Sequence, residues 1–392
     1  MHPIIIIGSG MAGYTVAREF RKLNTEQELL MICMDDGVSY AKPTLSNAFT
    51  AQKAPEQIAL ANAEKMQQQL NMRIETATEV SAIDAIAHTI SITKNQLTTT
   101  QNYSKLILAV GAEPIRLNIT GDGADDIHVI NHLNDYRKFR QQLEYCQEKR
   151  VVILGAGLIG CEFANDLQNH QHQVTLIDIA EQPLGRLLPQ HVAQQFQQNL
   201  EALGIQFIFK TTVINITKTE HQTYLITLAN GQSLIADIVL SAVGLQPKLS
   251  LAQNAMINTH RGIMTNNKLE TNQADIYAVG DCAEVNGTLL PYVMPIMQQA
   301  RALAKTLNGE ITDIHYPAMP IAVKTPASPL TILPVPLDIN VDWQTEVFAD
   351  GILAKAIDET ATLRGFVLLG ATAGKQRLTL VKQVPDLIPL HN

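Results

Sequence analysis

The sequence predicts an α/β fold in which two similar parallel-sheet domains are followed by a small C-terminal α/β domain. Two glycine-rich turns lie about 150 residues apart, and each directly follows a short apolar run typical of a buried strand. Each is followed by another apolar run that ends in an acidic residue. The runs at 106–114 and 237–247 also resemble each other, which indicates two copies of one structural plan.

Both glycine-rich turns match the pattern that places a pyrophosphate at the N-terminus of a helix. The first glycine makes a tight turn, the second lets the phosphates approach the backbone, and the third lets helix and strand pack closely. The residues concerned are Gly8, Ser9, Gly10, Met11, Ala12 and Gly13 in the first turn and Gly155, Gly157 and Gly160 in the second. Two such motifs predict two Rossmann-like domains that bind two dinucleotides. A flavin and a nicotinamide are the natural pair, since electrons can pass between them.

The first unit contains the strands and helices that such a domain needs. Residues 4–7 and 29–34 are predicted strands, and residues 11–23 form the helix between them. Residues 54–71, which are rich in Ala, Gln and Glu, are predicted to be helical. Residues 103–110 form a further buried strand, so the unit has the βαβ order of a parallel sheet.

The second unit repeats this order. A helix near 134–147 precedes the strand 151–154, and the second glycine turn opens the next helix. Strands at 174–177 and 237–244 complete the predicted sheet. Beyond it, an apolar run ends at Gly280 and Asp281.

An acid at the end of the second strand of each unit can hydrogen-bond an adenosine ribose. In the first unit Asp35 is the preferred candidate, Asp36 is a close rival, and Met34 beside them is assigned to the same cofactor. In the second unit the acid is Asp178, and Arg186 is the first arginine after it. Because a carboxylate there accepts both ribose hydroxyls and repels a 2′-phosphate, NADH is expected to be favoured over NADPH.

Length and composition limit the function further. A chain of 392 residues needs two or three domains, and its net charge of −8 without a basic run argues against a nucleic-acid binder. We find neither a signal-peptide pattern nor a stretch of about 18 apolar residues, so we expect a cytoplasmic protein without a membrane span. The four cysteines, Cys33, Cys146, Cys161 and Cys282, have no redox-pair or metal-ligand spacing.

Several motifs in fixed order resemble one known family. They are residues 8–13, 40–46 (Tyr-Ala-Lys-Pro-Thr-Leu-Ser), 155–167, 276–281, 292–295 (Tyr-Val-Met-Pro) and 319–326. Together they resemble the pyridine-nucleotide-disulfide oxidoreductase superfamily, specifically its disulfide-free, ferredoxin-reductase-like branch and the members of that branch that reduce rubredoxin. The resemblance covers essentially the whole chain.

The resemblance implies a domain order that periodicity alone does not give. An FAD-binding domain would comprise residues 1–115 and 246–314, with an NAD-binding domain at 116–245 inserted between them. Residues 315–392 would form a C-terminal interface domain. The short apolar runs at 332–335 and 366–370 are consistent with a small α/β domain, whose topology periodicity does not define.

The resemblance also implies roles for particular side chains. Lys42 would lie beside the flavin and stabilise negative charge on the reduced ring. Glu162 would pair with Lys42 where nicotinamide meets flavin, although an acid in a first helical turn is also favoured by the helix dipole. Further FAD contacts would come from Val80, Gly280, Asp281, Val293 and Lys324. The plain alternatives are a solvated loop lysine for Lys42, a helix cap for Asp281 and a surface lysine for Lys324.

The function implied is an NADH-dependent flavoprotein reductase that passes electrons through FAD to rubredoxin, which would feed an alkane hydroxylase-type system. A flavorubredoxin or ferredoxin reductase is the nearest alternative. An NADH oxidase or peroxidase is less expected, because such enzymes commonly carry a reactive cysteine near the flavin. A non-catalytic, NADH-sensing flavoprotein is the alternative from another class.

Overall fold

The computed structural model describes residues 2–146, 148–336 and 338–389. Two five-stranded sheets, each parallel throughout, form the centres of the two repeated units. In spatial order the first sheet contains Ile276–Ala278, Lys105–Leu108, Ile4–Ile7, Leu29–Ile32 and Arg73–Glu75. The second contains His128–Val129, Ile238–Ser241, Arg150–Leu154, Gln173–Ile177 and Gln206–Ile208. The chain therefore builds the second sheet before it returns to add the last strand of the first.

The strand sequences explain why both sheets lie inside the protein. Ile5 and Ile6 are fully buried, and Ile4–Ile7 pairs in parallel with Leu29–Ile32 on one side and Lys105–Leu108 on the other. Near-continuous apolar runs are typical of parallel strands, because helices cover both faces of the sheet.

The helices pack around these sheets and one another. They are Met11–Leu23, Pro55–Ile58, Ala63–Leu70, Leu133–Tyr145, Leu158–Gln168, Gln190–Glu201, Ser250–Asn254, Val293–Leu307, Ala371–Gly374 and Arg377–Val381, with 3-10 turns at Lys42–Asn47, Ala124–Asp126 and Gly280–Cys282. Met11–Leu23 packs against Val293–Leu307. Among the described residues, no helix combines the length and the apolar character that crossing a bilayer requires.

Smaller sheets extend each unit and join the two. They are the antiparallel Glu79–Asp84, Thr89–Lys94 and Leu97–Asn102; the antiparallel Val213–Lys218, Tyr224–Leu228 and Ser233–Ala236; the mixed Ile263–Thr265, Ala283–Val285 and Thr288–Leu289; and the pair Ser39–Tyr40 and Ala59–Ala61. The chain passes from the first unit to the second at Ala112–Pro114 and returns at Leu245–Pro247. These two strands pair antiparallel, so the two connecting segments lie side by side.

The C-terminal residues form a five-stranded antiparallel sheet. Its spatial order is Ile321–Val323, Leu330–Leu333, Leu363–Leu369, Gly351–Ile357 and Asp342–Phe348. Buried residues of this sheet, among them Ile332 and Val367, share one apolar cluster with Phe196 and Leu200 of the helix Gln190–Glu201. The C-terminal sheet is therefore packed on the second unit by burial of apolar surface.

One expected helix is interrupted. Residues 54–71 contain the short helix Pro55–Ile58, the strand Ala59–Ala61 and the helix Ala63–Leu70. The strand forms because it pairs with Ser39–Tyr40, a tertiary contact that local helix propensity does not report. Asn62 then starts the second helix, since its side chain accepts a hydrogen bond from the Lys65 amide at 2.9 Å.

Candidate active site

A single large cleft runs along the carboxyl ends of both parallel sheets, where open α/β folds bind their ligands. Its volume is about 2280 Å³, whereas a site for one drug-sized ligand usually measures roughly 300–1,000 Å³. Both glycine turns line it, and so do residues of the C-terminal domain between Met319 and Lys324. The cleft therefore has room for two large ligands side by side.

The first glycine turn is shaped to hold a phosphate chain. Gly8 has a φ of +114°, and a side chain there would overlap the backbone oxygen of Ala109. A Cβ on Gly13 would overlap the Gly8 carbonyl, so the third glycine lets the helix pack closely on the turn. A Cβ built on Gly10 would meet nothing within 4 Å, and the backbone there is open to the cleft. This cradle fits the pyrophosphate of a dinucleotide such as FAD.

The second glycine turn repeats the same geometry. Gly155 has a φ of +100°, and a Cβ there would lie 2.7 Å from the Ala242 oxygen. Gly160 packs against the Gly155 carbonyl, while the space around Gly157 is open. Gly13 and Gly160 thus lie behind the cleft wall, whereas Gly8, Ser9, Gly10, Met11, Ala12, Gly155 and Gly157 line it. The repeat provides a second cradle, which fits a second dinucleotide such as NADH.

The acid of the first unit is tied to its glycine turn. The Ser9 hydroxyl donates to Asp35 Oδ1 at 2.7 Å, and the Gly37 amide donates to the same oxygen at 3.0 Å. Asp35 and the exposed Met34 both line the cleft. Asp36 instead accepts the Val38 amide at 3.2 Å. Because Ser9 and Gly37 both donate to Oδ1, Asp35 Oδ2 can accept a ribose hydroxyl.

In the second unit the acid, Asp178, is likewise hydrogen-bonded to its glycine turn. Asp178 Oδ2 accepts the Ala156 amide at 2.5 Å, and Oδ1 accepts the Ala180 amide at 2.8 Å. Asp178 and Arg186 line the cleft. Because a carboxylate has about four lone-pair sites, Asp178 can hold this loop and still accept ribose hydroxyls.

Lys42 lies in the 3-10 turn Lys42–Asn47 and lines the cleft. Its ammonium donates to Asn131 Oδ1 at 2.6 Å, and Asn131 Nδ2 in turn donates to the Ala112 carbonyl at 3.1 Å. Burial lowers the pKa of Lys42, while the nearby charge of Asp281 raises it. Burial likewise raises the pKa of Asp281, and Lys42 lowers it. A cation is thus held in the cleft by a neutral amide.

Glu162 does not pair with Lys42, which corrects the expected contact. The buried Glu162 carboxylate forms an ion pair with the Lys324 ammonium and accepts the Lys324 backbone amide at 3.0 Å. It also accepts the Ser46 hydroxyl at 2.6 Å. The C-terminal strand brings both donors of Lys324 within reach of Glu162, while Asn131 takes the Lys42 ammonium. Glu162 therefore connects both units and the C-terminal domain.

Asp166 lies one helical turn beyond Glu162 and extends this connection. Its carboxylate accepts the amides of Phe49 at 3.0 Å and Thr50 at 2.7 Å. Two acids on one face of the helix Leu158–Gln168 therefore fasten the segment that carries Lys42 to the second unit.

The remaining expected residues surround the same cleft. Val80, Asp281 and Val293 line it, and Val293 begins the helix Val293–Leu307. Gly280 does not line it: its amide donates to Gln299 Oε1 at 2.6 Å, and its φ is +80°. Gly280 thus shapes the turn that presents Asp281.

Two residues of the site, Asn131 and Ser46, were not predicted from the sequence. Ser46 stands in the Tyr-Ala-Lys-Pro-Thr-Leu-Ser segment, so it could have been considered together with Lys42. Asn131 lies two residues before the helix Leu133–Tyr145, and its sequence position gives no sign of Lys42.

Comparisons with known proteins agree with this architecture. Residues 2–305 match the family model described as pyridine nucleotide-disulphide oxidoreductase, and residues 313–384 match the model described as the rubredoxin binding C-terminal domain. The chain is 69% identical over 390 residues to the rubredoxin-NAD(+) reductase of Acinetobacter baylyi, with 99% of each chain covered. It is 40% identical over 389 residues to the protein of the same name from Alcanivorax borkumensis, with 99% of this chain and 100% of the relative covered.

A solved structure shows the same fold. The covalent putidaredoxin reductase–putidaredoxin complex matches with a TM-score of 0.88 at 21% identity, over 98% of this chain and 94% of that chain. The expected α/β fold is confirmed by these matches. From the paired glycine cradles and the match over residues 2–305, we conclude that the chain belongs to the pyridine nucleotide-disulphide oxidoreductase family.

Proposed function

We propose that this protein is an NADH-dependent flavoprotein reductase that passes electrons from NADH through FAD to rubredoxin. One observation carries the proposal: two dinucleotide cradles open into one cleft that is also lined by the domain matching a rubredoxin-binding model. Bound FAD supplies the step from a two-electron donor to one-electron acceptors. Two relatives that match this chain over nearly its full length bear the corresponding name.

The FAD would occupy the first unit. The open backbone at Gly10 would receive its pyrophosphate, and Asp35 would accept hydrogen bonds from its ribose. Val80, Asp281 and Val293 would complete its surroundings, since all three line the cleft.

The NADH would occupy the second unit in the same manner. Gly157 leaves room for the pyrophosphate, and Asp178 is placed for the adenosine ribose. The negative charge of Asp178 would repel the additional phosphate of NADPH, which supports a preference for NADH.

The charged residues in the cleft would orient the reacting rings. Lys42, held by Asn131, would stabilise negative charge where the ring becomes reduced. Glu162 would set the position of the C-terminal segment at Lys324, and through Ser46 that of the turn containing Lys42. No general base is required of these residues.

The proposal includes a domain organisation and a setting in the cell. FAD-binding residues would comprise 1–115 and 246–314, NAD-binding residues 116–245, and the acceptor interface 315–392. We place the enzyme in the cytoplasm, where thiols stay reduced, in keeping with its four free cysteines. Downstream of rubredoxin, an oxygen-dependent alkane hydroxylase would use the electrons, as the sequence resemblance implies.

Acceptor screening with purified holoprotein tests the proposal. The protein should bind about one FAD per chain without a covalent link, be reduced by NADH, and then reduce rubredoxin at least about tenfold faster than oxygen, as compared by kcat/KM. Ferredoxin and flavorubredoxin, tested in parallel, should be poorer acceptors.

Two results would overturn the proposal. A colourless protein that takes up no FAD would remove the flavin assignment. A reduced protein that reacts with oxygen as fast as with rubredoxin would instead be an oxidase, and faster reduction of flavorubredoxin would identify the alternative reductase.

A further inference from the structure

The helix Arg377–Val381 and the residues beside it present a group of cations. Lys375, Arg377 and Lys382 are exposed, and within the described residues none of them makes an ion pair. We call these three side chains, together with the exposed Leu378 between them, the cationic face. Leu378 is 76% exposed. An exposed leucine with charged side chains around it gives an apolar centre with a polar rim, which is the arrangement found in protein interfaces.

The sequence around this face concentrates positive charge. Residues 360–385 contain Arg364 and the three cations of the face but no acidic residue, in a chain whose net charge is −8. Arg364 is neutralised, because its Nε lies 2.5 Å from Asp358 Oδ2. The positive potential of this stretch therefore comes from the cationic face.

The fold holds this face in place. Leu380, only 3% exposed, anchors the helix Arg377–Val381 in an apolar cluster with Phe366 and Ala373 of the same domain. The cations therefore project from a packed element, which keeps their spacing and lowers the entropy cost of binding a partner.

The position of the face relates it to the active site. Arg377 lines the cleft, as do Lys324 and Met319 of the same domain. A partner that contacts Arg377 from outside is therefore brought to the opening of the cleft in which the two dinucleotides are proposed to bind.

From these observations we infer that the cationic face is the docking site for the acidic surface of a small one-electron carrier protein. The inference rests on the proposed function, under which the carrier is rubredoxin. The whole chain is negative and repels an acidic carrier at long range, so a local positive surface is needed to steer association. The face lies within residues 313–384, the segment that matches the rubredoxin-binding model.

Charge reversal tests the inference. The variant Lys375→Glu/Lys382→Glu leaves Arg377 intact, because Arg377 lines the cleft. It is compared with a control, Lys53→Glu/Lys65→Glu, which changes two exposed lysines elsewhere on the protein without a described ion pair. Both variants alter the net charge equally, so a difference between them reports local charge. Rubredoxin reduction and the reduction of a small dye by NADH are measured on each holoprotein, from about 20 mM to about 300 mM salt.

We expect charge reversal at the two lysines of the cationic face to lower kcat/KM for rubredoxin about tenfold at low salt and to abolish its decrease with rising salt. The dye rate and the rate of flavin reduction by NADH should remain at the wild-type level in both variants. The control should retain most of the rubredoxin rate and its salt dependence.

Equal rubredoxin kinetics in the two variants would overturn the docking site, provided that wild-type protein reduces rubredoxin. If wild-type protein does not reduce rubredoxin, the proposed function itself fails. The two failures are distinguished by the wild-type measurement alone.

Discussion

Lys42 and Asn131, which are 89 positions apart in sequence, are joined by a hydrogen bond of 2.6 Å between the ammonium and the amide oxygen. The amide is oriented by its own bond to the Ala112 carbonyl and is buried. A cation on the first unit is thus positioned by a side chain that precedes a helix of the second. Because the amide is neutral, the charge of Lys42 stays available to a ligand in the cleft.

The substitution Asn131→Asp should lower the midpoint potential of the bound flavin. A carboxylate at this position would raise the pKa of Lys42 and neutralise its charge, so negative charge on the reduced ring would be less stabilised. We expect a shift of about −30 mV, which is about 1.4 kcal/mol for a two-electron couple. Equilibration with a reference dye measures it.

Asn134→Asp is the matched control for this substitution. Asn134 is exposed and lines the same cleft, but it makes no described contact with Lys42. Asn134→Asp should shift the flavin midpoint potential much less than Asn131→Asp does. Equal shifts in the two variants would mean that Asn131 acts only through the general charge of the cleft.

The substitution Glu162→Gln should destabilise the protein and disturb NADH binding. It removes the charge partner of Lys324, whose side chain is 26% exposed, and leaves an uncompensated cation at a domain junction. We expect the free energy of unfolding to fall by about 2–3 kcal/mol and the KM for NADH to rise. Urea unfolding and initial rates measure the two effects.

Glu310→Gln provides the comparison. Glu310 pairs with Lys305 at 3.3 Å on the surface, where an ion pair contributes at most about 1 kcal/mol. If both substitutions lower the free energy of unfolding equally, the ion pair of Glu162 does not connect the domains as we describe.

Wild-type protein should prefer NADH to NADPH by a factor of about 10 to 100, since Asp178 accepts ribose hydroxyls and repels the additional phosphate. Asp178→Asn keeps the size of the side chain and removes its charge, so the ratio of the two kcat/KM values should fall. Glu201→Gln, an exposed acid at the end of the helix Gln190–Glu201, should leave the ratio unchanged. A wild-type preference for NADPH would contradict the assignment of Asp178.

The cysteines should be dispensable for electron transfer. All four are free, and burial raises the pKa of Cys33 to about 12 and that of Cys282 to about 11, so neither is a thiolate at neutral pH. Cys→Ala variants made one at a time should keep NADH-to-rubredoxin turnover if they keep their FAD. Loss of turnover in one variant with full flavin content would point to a peroxidase-like thiol.

Stability should depend on pH through His172. Burial lowers the pKa of this histidine to about 4, below its ordinary value of about 6.5 in the unfolded chain. The unfolded state therefore binds the proton more strongly than the folded state. The stability that neutral His172 contributes is fully present above about pH 6.5 and is lost as the pH falls towards 4.

Protonation of His172 should lower the free energy of unfolding of the wild-type protein by up to about 3 kcal/mol between pH 6.5 and 4. The substitution His172→Gln should remove this part of the pH dependence. Urea unfolding across that range measures it. His221→Gln, at an exposed position without a described contact to His172, should leave the profile unchanged. An unaltered profile for His172→Gln would show that this imidazole is not held neutral in the folded protein.

The glycine turns, the strands before them and the acids after them could be predicted from the sequence, because they depend on local chemistry. An isoleucine run followed by Gly8, Gly10 and Gly13 specifies a buried strand and a turn that no larger residue could form, because a Cβ at Gly8 or Gly13 would overlap backbone. Its repetition from Gly155 predicted the second sheet for the same reason. The acids Asp35 and Asp178 followed from their position at strand ends.

Which side chains meet across the cleft depends on tertiary packing and could not be predicted from the sequence. Glu162 was expected beside Lys42, yet it pairs with Lys324, and Lys42 is held by Asn131. These partners are separated by 162 and 89 positions, respectively, so their contacts depend on how three domains pack and not on local periodicity. The interruption of residues 54–71 by a strand has the same cause, because its partner strand lies elsewhere in the chain. Local propensity specifies each element, but the burial of apolar surface between domains selects the polar contacts at their junction.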